Sequence, residues 1–410
     1  MKDQRDNLLK NLSSNGFAVA ISVAAPILIM FVVSGILGVE DYGRYAAALS
    51  YAWMFIVFSE FGVNMALMRR VSVSSVSKQE VEKLISSFIC LRSTQAVVLL
   101  PIYAYFFLKY FGQNYIVLCS TFVLYICSSL NLAWFFQGRE IANDLLKDSI
   151  SSKLTLICAV LVGTFLSLSV EYYIAIQGVS AILMFALGVR RMKKRNYNPP
   201  PIYDVGLICK LIRESFYYYA SRLIVSLYEN ASTFLVSRYL SDADTGRYAV
   251  LLQLYKGGTA IISVFSMSLL PYANRTKNYR ILGLAAVGLT FLMLIFFPLV
   301  TYFLKENLHL MLNSNLEVAL LEAKLWYISL IFFCIAAILG YPYLTALNRV
   351  GLGHLSMLAG SMVYLFVVGY YVLVGEVSTY SMALAITLSI STTGMLRLLL
   401  FLGLRKGRAS

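Results

Sequence analysis

Long uninterrupted blocks of apolar residues constrain this chain more than any other feature of its sequence. Residues 16–37 and 281–304 are two examples, and each is close to the roughly 20 residues that a helix needs to cross about 30 Å of hydrocarbon. Hydrophobic residues make up 59% of the 410 residues and charged residues only 13%, a balance that a water-soluble domain could not bury. The sequence therefore predicts an all-α integral membrane protein.

Polar breaks divide the apolar sequence into twelve predicted transmembrane helices, six in each half of the chain. The spans of the first half fall near 16–37, 45–67, 84–108, 114–136, 153–170 and 173–189. Those of the second half fall near 216–237, 247–270, 281–304, 324–345, 354–374 and 380–403. The first block is too long for the apolar region of a signal peptide and lacks a small-residue cleavage site, so we expect a retained helix.

The net charge of +14 is explained by topology rather than by a nucleic-acid partner, which we do not expect. With residues 1–15 taken as cytoplasmic, the segments on that side carry about four times as many Lys and Arg residues as the opposite segments. This asymmetry is the positive-inside rule, and it predicts that both termini lie in the cytoplasm.

A basic stretch separates the two halves, which gives an N-terminal lobe of residues 1–189, a cytoplasmic linker of residues 190–215 and a C-terminal lobe of residues 216–410. Within the linker, apolar residues recur at helical spacing, with Lys210 and Arg213 between them. This pattern predicts a short amphipathic helix that lies on anionic headgroups.

An internal repeat supports the division into two lobes. The repeated residues are Asp41, Gly43, Arg44, Tyr45 and Ala46, which recur as Asp244, Gly246, Arg247, Tyr248 and Ala249. Both copies lie between the first and second spans of their half, which predicts a parallel repeat of two six-helix lobes. Locally, the Asp and Gly suit a tight outer turn and the Tyr suits an interfacial belt. The alternative is that the two arginines guide an anionic substrate at the outer face.

Ionisable residues within the spans are functional candidates, because each costs at least about 2.5–3.5 kcal/mol to insert. The six candidates are Glu60, Arg92, Arg222, Glu229, Lys256 and Arg397. Span seven carries a polar stripe of Arg222, Ser226, Glu229, Asn230, Thr233 and Ser237, which falls within an arc of roughly 100°. Such a stripe must border a water-filled cavity or another polar helix.

Each candidate charge also has a structural alternative. Arg222 and Arg397 lie near enough to the cytoplasmic ends of their spans to snorkel, whereas Arg92 is deeper. In span eight, Lys256 and the Ser and Thr residues beside it face a cavity in one interpretation. In the other, the Ser and Thr hydroxyls only bond helix backbone, and the polar side of the span does not indicate a cavity. Glu229 and Glu60 either pair with a basic residue or bind a coupling cation or proton.

Neither a metal site nor a catalytic site is indicated. The six cysteines show no Cys-x-x-Cys spacing, so a disulfide framework or zinc site is not expected. The two histidines, His309 and His354, fall on opposite sides of the membrane in the predicted topology, and no large segment lies outside the spans. We therefore expect a protein that is not an enzyme.

Three short motifs resemble patterns of the O-antigen and polysaccharide flippases, members of the multidrug/oligosaccharidyl-lipid/polysaccharide exporter superfamily. The motifs are Leu37, Gly38 and Glu40 to Tyr45 after span one; Phe61, Gly62, Arg69 and Arg70 around the end of span two; and Trp134 to Arg139 at the end of span four. The resemblance covers nearly the whole chain.

The resemblance implies a V-shaped, twelve-helix transporter of the MATE type that works by alternating access. Its substrate would be an undecaprenyl-pyrophosphate-linked oligosaccharide, moved from the cytoplasmic to the periplasmic face of the bacterial cell inner membrane. Transport would be coupled to sodium ions or protons, with no other cofactor. Membrane lipids and the polymerase and glycosyltransferases of the same pathway would be its partners. A multidrug exporter or another lipid-linked precursor exporter of the same fold, and a membrane enzyme of the pathway, are the alternatives.

Overall fold

The structure is a computed structural model that describes residues 2–72, 76–139, 141–200, 204, 206–214, 230–276, 279–307, 316–347 and 349–406. All regular elements in these ranges are helical. The helices are α1 (Lys2–Glu60), α2 (Val63–Val71), α3 (Lys78–Phe111), α4 (Tyr115–Ser129), α5 (Ala133–Gly138), α6 (Ala142–Phe165), α7 (Val170–Lys194), α8 (Ser232–Tyr239), α9 (Asp242–Thr276), α10 (Tyr279–Asn307), α11 (Leu316–Leu339), α12 (Tyr341–Ala346), α13 (Val350–Val374) and α14 (Thr379–Lys406). Residues 206–214 form a further short helix.

Ten helical stretches within the described ranges are long and apolar enough to cross a membrane. The first of them, Ala24–Glu60, covers most of the first two predicted spans, which are divided at Gly38 where the backbone leaves helical geometry (φ 80°, ψ 170°). The predicted span at 216–237 lies mostly outside the described residues. The other eleven predicted spans are confirmed.

The outer surfaces of these helices are apolar. Phe165 and Leu373 are each 88% exposed, and Val97 is 71% exposed. Leaving such surface in water would cost about 25 cal/mol for each Å². The exposed faces are therefore the surfaces that contact lipid, which identifies a multi-pass membrane protein.

The repeated motif lies in helix rather than in a turn. Gly38 makes the turn in the first half, and Asp41 and Gly43 already belong to the helix that follows it. The prediction of a tight turn at Asp41 and Gly43 is therefore wrong. The prediction of an interfacial belt is also wrong, because Tyr45 and Tyr248 are 5% and 0% exposed.

The chain forms two compact units, which we call the first and second units. The first comprises Met1–Ala25 and Tyr45–Phe234, and the second comprises Pro26–Arg44 and Leu235–Ser410. In the first unit, α7 packs against α4 and α6, and α2 packs against α5. In the second unit, α11 packs against α9, α10 and α14, and α13 packs against α14.

The amphipathic helix of the linker packs on protein. Ile208 and Leu211 are 4% and 1% exposed and belong to the buried apolar cluster that α2, α3 and α5 form in the first unit. Arg70 of α2 also pairs with Glu214 at 2.8 Å. The helix is thus present as expected, but its apolar face covers the core of the first unit instead of resting on headgroups.

Candidate functional site

The polar stripe predicted on span seven is only partly described. Arg222, Ser226 and Glu229 lie outside the described residues, so their placement in a cavity stays a prediction. Asn230 is half-buried and has π-helical geometry just before α8, and Thr233 is buried at 5% exposure. A π-helical turn is a frequent mark of a functional site in a helix.

Arg92 is buried in the first unit, with only 2% of its surface exposed. Its guanidinium donates to the carbonyl oxygen of Ser59, and at 3.0 Å to that of Glu60. It also donates to the side chains of Gln95 at 3.1 Å and Asn64 at 3.3 Å. The structure thus brings together two of the predicted candidates, Arg92 and Glu60, and adds Asn64 as a neighbour of both.

The contacts of Arg92 explain how α1 can end inside the membrane. The helix stops at Glu60, and the next two residues take positive φ angles of 45° at Phe61 and 67° at Gly62 before α2 begins. Carbonyl groups at a helix end have no partner within the helix, and hydrocarbon offers them none. Arg92 supplies these partners, so its observed role is that of a helix cap.

Removing this cap is expected to destabilise the protein. Arg92→Met keeps an apolar stem but leaves buried carbonyl groups without donors, which costs about 1–3 kcal/mol. Arg92→Lys should lower the stability less than Arg92→Met does but should not keep it at the wild-type level, because an ammonium group lacks the planar fork of a guanidinium. Thermal unfolding in detergent measures the effect, with exposed Arg213→Met as the matched control. Equal melting temperatures for Arg92→Met and Arg213→Met would rule out the capping role.

Arg397 caps a second discontinuity, in the second unit. Helix α11 ends at Leu339, one residue before Gly340, and Arg397 donates to the carbonyl oxygen of Ala336 in its last turn. Arg397 also donates to the Ser356 hydroxyl at 2.9 Å and to the Gly353 carbonyl at 3.3 Å. With 9% of its surface exposed, it is held inside the unit and does not snorkel.

A cavity of about 220 Å³ adjoins Arg397. Its lining includes His354, Ser263 and Ser266, together with the backbone around Gly340. The cavity is therefore a mainly apolar recess beside the end of α11, with a few polar groups that include Arg397.

The hydroxyl groups of span eight donate hydrogen bonds to backbone carbonyl groups of helices. Thr259 donates to the carbonyl oxygen of Lys256 at 2.9 Å, and Ser263 donates to that of Thr259 at 2.7 Å. Ser266 reaches the carbonyl oxygen of Ala337 on α11 at 2.7 Å. These hydroxyls thus follow the alternative in which Ser and Thr bond backbone, while Lys256 itself is half-buried.

A buried ion pair that the sequence did not reveal lies at the predicted outer face. Arg247 lies 3.3 Å from the carboxylate of Glu322, which is only 1% exposed. Thr379 accepts a hydrogen bond from Arg247 at 2.9 Å and donates one to Glu322, and Asp244 lies 3.2 Å from Arg247. The sequence does not mark Glu322 because it precedes the predicted span at 324–345, whereas α11 already begins at Leu316.

The equivalent arginine of the first motif copy has an exposed network. Arg44 bonds Asp242 at 2.9 Å, Glu40 at 2.9 Å and Asp41 at 3.2 Å. About half of its side chain is exposed, as are substantial parts of its partners. The two copies of one sequence motif therefore place an arginine in two different environments: Arg44 is exposed, whereas Arg247 is buried.

The glycines of the two motif copies lie against each other within the second unit. A Cβ atom on Gly43 would overlap the carbonyl oxygen of Asp242 and would lie 2.9 Å from the backbone nitrogen of Gly246. A Cβ atom on Gly246 would overlap the carbonyl oxygen of Val39. Each glycine thus faces the residue four positions before the other, and the arrangement is reciprocal. Only a residue without a side chain permits this approach of the two backbones.

Comparison with known proteins identifies the family. The family model described as polysaccharide biosynthesis protein matches residues 8–277, a range that includes both copies of the repeated motif. The chain belongs to this polysaccharide biosynthesis family. A sequence comparison with curated proteins finds no match.

Solved structures similar to this family member are transporters. A lipid II flippase, MurJ, in an inward closed conformation has 15% sequence identity and a TM-score of 0.72, over 95% of this chain and 87% of that chain. An inward-facing multidrug resistance MATE family transporter of the MOP superfamily has 12% identity and a TM-score of 0.64, over 92% and 93%. The Vibrio cholerae MATE transporter VcmN, in a mutant form, has 13% identity and a TM-score of 0.63, over 98% of each chain. The family member therefore has the fold of the MOP superfamily.

Proposed function

We propose that the chain is a flippase that moves an undecaprenyl-pyrophosphate-linked oligosaccharide, an O-antigen or related polysaccharide repeat unit, across a bacterial inner membrane. The match to the polysaccharide biosynthesis family is the observation that carries this proposal. The fold shared with a lipid II flippase supports it. The protein would act as a transporter and carry out no chemistry on its cargo.

The cargo combines a lipid tail with a polar head. The tail can stay in the bilayer, so only the sugars and the pyrophosphate need a polar path through the protein. In our proposal this path is lined by Arg222, Ser226, Glu229, Asn230 and Thr233 of span seven. Alternating access would open the path first to the cytoplasm and then to the periplasm.

A pyrophosphate requires cationic donors. Arg92 and Arg397 already donate to backbone carbonyl groups at helix ends, so binding cargo would require them to release those caps. The proposal therefore assigns the pyrophosphate to Arg222 and Lys256 before the other two. Glu229 and Glu60 are the proposed sites of sodium or proton coupling, and both termini are placed in the cytoplasm.

Two six-helix lobes, residues 1–189 and 216–410, would carry out the movement, joined by the linker at 190–215. The polymerase and glycosyltransferases of the same pathway are the proposed partners, because they would supply the cargo on one side and consume it on the other.

Deletion of the gene tests the function. We expect loss of the surface polysaccharide and accumulation of lipid-linked repeat units that an added impermeant glycosidase cannot reach. Complementation with the intact gene should restore export, while Glu229→Gln should not, at equal membrane abundance. Exposed Glu376→Gln is the matched control and should complement fully. Unchanged export in the deletion strain, with no second flippase present, would refute the proposal.

Multidrug export is the second candidate, because MATE transporters share the fold. The same deletion strain separates the two functions. A drug exporter would leave surface polysaccharide intact and would increase sensitivity to cationic drugs on deletion. The flippase proposal expects the opposite pattern.

A further inference from the structure

The end of α7 carries a groove that the transport proposal does not use. The groove has a volume of about 650 Å³ and is lined by Ile182, Phe185, Ala186, Val189, Arg190, Lys193 and Lys194. These residues recur at intervals of three and four, so they form one face of the helix. The face is apolar from Ile182 to Val189 and basic from Arg190 to the end of the helix.

Basic residues at the end of α7 divide into two groups. On the face toward α6, Arg191 lies 3.6 Å from Asp144 and also pairs with Asp148, and Arg195 lies 2.7 Å from Asp144. These two arginines therefore hold α7 against α6.

The second group lines the groove. Arg190, Lys193 and Lys194 are exposed, and none of them has an acidic partner within the part of the chain that the structure describes. Three positive charges are thus concentrated at one end of an apolar groove.

The dimensions of the face match half of a bilayer. Twelve residues separate Ile182 from Lys194, which corresponds to about 18 Å along a helix, against about 15 Å of hydrocarbon in one leaflet. Ile182 is 45% exposed within the membrane-crossing stretch Val170–Lys194, so an occupant of the apolar half must be soluble in lipid. The basic half lies where headgroups lie.

We propose that this groove binds an anionic phospholipid, with an acyl chain along Ile182 to Val189 and the phosphate at Arg190, Lys193 and Lys194. An acidic protein segment would satisfy the three charges but would place polar backbone in the hydrocarbon region beside Phe185 and Ala186. A lipid satisfies both halves of the groove. This inference does not depend on the identity of the transported cargo.

Lipid titration of the full-length protein tests the site. Purified protein in neutral detergent is titrated with phosphatidylglycerol or phosphatidylcholine, and binding is followed by native mass spectrometry. We expect phosphatidylglycerol to bind at least tenfold more tightly than phosphatidylcholine. Arg190→Gln, Lys193→Gln and Lys194→Gln combined should abolish this preference. Phosphatidylglycerol that binds no better than phosphatidylcholine would overturn the proposal.

Two further variants separate the site from general electrostatic attraction. Lys83→Gln, Lys147→Gln and Lys210→Gln combined remove the same charge from exposed positions elsewhere and should change the affinity less than twofold. Ala186→Trp keeps every charge but fills the apolar half, and we expect it to weaken binding at least tenfold. Equal losses in the two triple variants, unchanged binding by Ala186→Trp, or displacement of the lipid by a soluble polyglutamate peptide would each overturn the proposal.

Discussion

Alanine at position 43 or 246 is expected to destabilise the protein by roughly 3 kcal/mol, the upper end of the usual cost of overpacking. The added Cβ atom would overlap a backbone carbonyl oxygen, that of Asp242 or Val39 respectively. If the overlapping atom belonged to a side chain, that side chain could rotate away. A backbone oxygen moves only if the end of its helix moves. We expect a lower melting temperature in detergent and loss of complementation in the deletion strain.

Other glycines of the same unit provide controls for this substitution. Gly35→Ala and Gly288→Ala also replace helical glycines, and a Cβ atom at either position would meet nothing within 4 Å. Both should leave stability unchanged or slightly raised, since alanine favours helix. If Gly43→Ala melted at the same temperature as Gly35→Ala, the two motif copies would not be in close contact in the membrane.

The reciprocal contact of the two glycines also predicts how the two substitutions combine in a double variant. Moving the two helix ends apart once relieves both overlaps, so Gly43→Ala and Gly246→Ala together should cost clearly less than the sum of the two single changes. Additive costs would mean that the two glycines act independently, which the structure contradicts.

The sequence predicted the membrane fold well because the hydrocarbon core imposes a simple rule on helix length and polarity. Every predicted span within the described residues overlaps a helical stretch long and apolar enough to cross a membrane, although the break between the first two lies at Gly38 rather than at Asp41 and Gly43. The motifs that carry the family resemblance also pointed to the correct fold. Their residues are mainly packing residues: Trp134, Phe135 and Phe136 are at most 3% exposed, and a Cβ atom on Gly138 would overlap Val71.

Sequence patterns were less informative about the partners of individual charges. Insertion cost marks Arg92 and Arg397 as unusual, but it cannot tell a ligand contact from a bond to the end of a broken helix. That distinction needs the position of the break. The positive φ angles at Phe61 and Gly62 and the one-residue interruption at Gly340 leave only a faint trace in sequence. The residues that most define the proposed path, Arg222 and Glu229, lie outside the described residues and stay predictions.

The repeat shows a second reason why charges are hard to interpret. Arg44 and Arg247 occupy the same position of one motif, and sequence alone assigns them the same role. Their environments differ because Arg247 meets Glu322 of α11, whereas the acidic partners of Arg44 are all partly exposed. The contact that separates them joins residues far apart in the chain.

Removal of Glu322 is expected to have the largest effect of any charge substitution in the second unit. Glu322→Ala leaves the buried guanidinium of Arg247 without its buried carboxylate and with only the partly exposed Asp244 as an acidic partner. Breaking a buried ion pair in this way costs up to about 3–5 kcal/mol. The measurement is again thermal unfolding in detergent. Arg44→Ala breaks an exposed network and should cost less than about 1 kcal/mol.

A paired substitution tests whether the stability lost in Glu322→Ala comes from the buried charge of Arg247. Replacing both partners, with Glu322→Leu and Arg247→Met together, removes the buried charges and should recover most of the stability lost in Glu322→Ala. Glu322→Gln should fall between, because an amide oxygen can still accept the hydrogen bond from Thr379. If the double variant were as unstable as Glu322→Ala, lost packing rather than an uncompensated charge would be the cause. The buried pair would then have a structural role that apolar residues of similar size cannot fill.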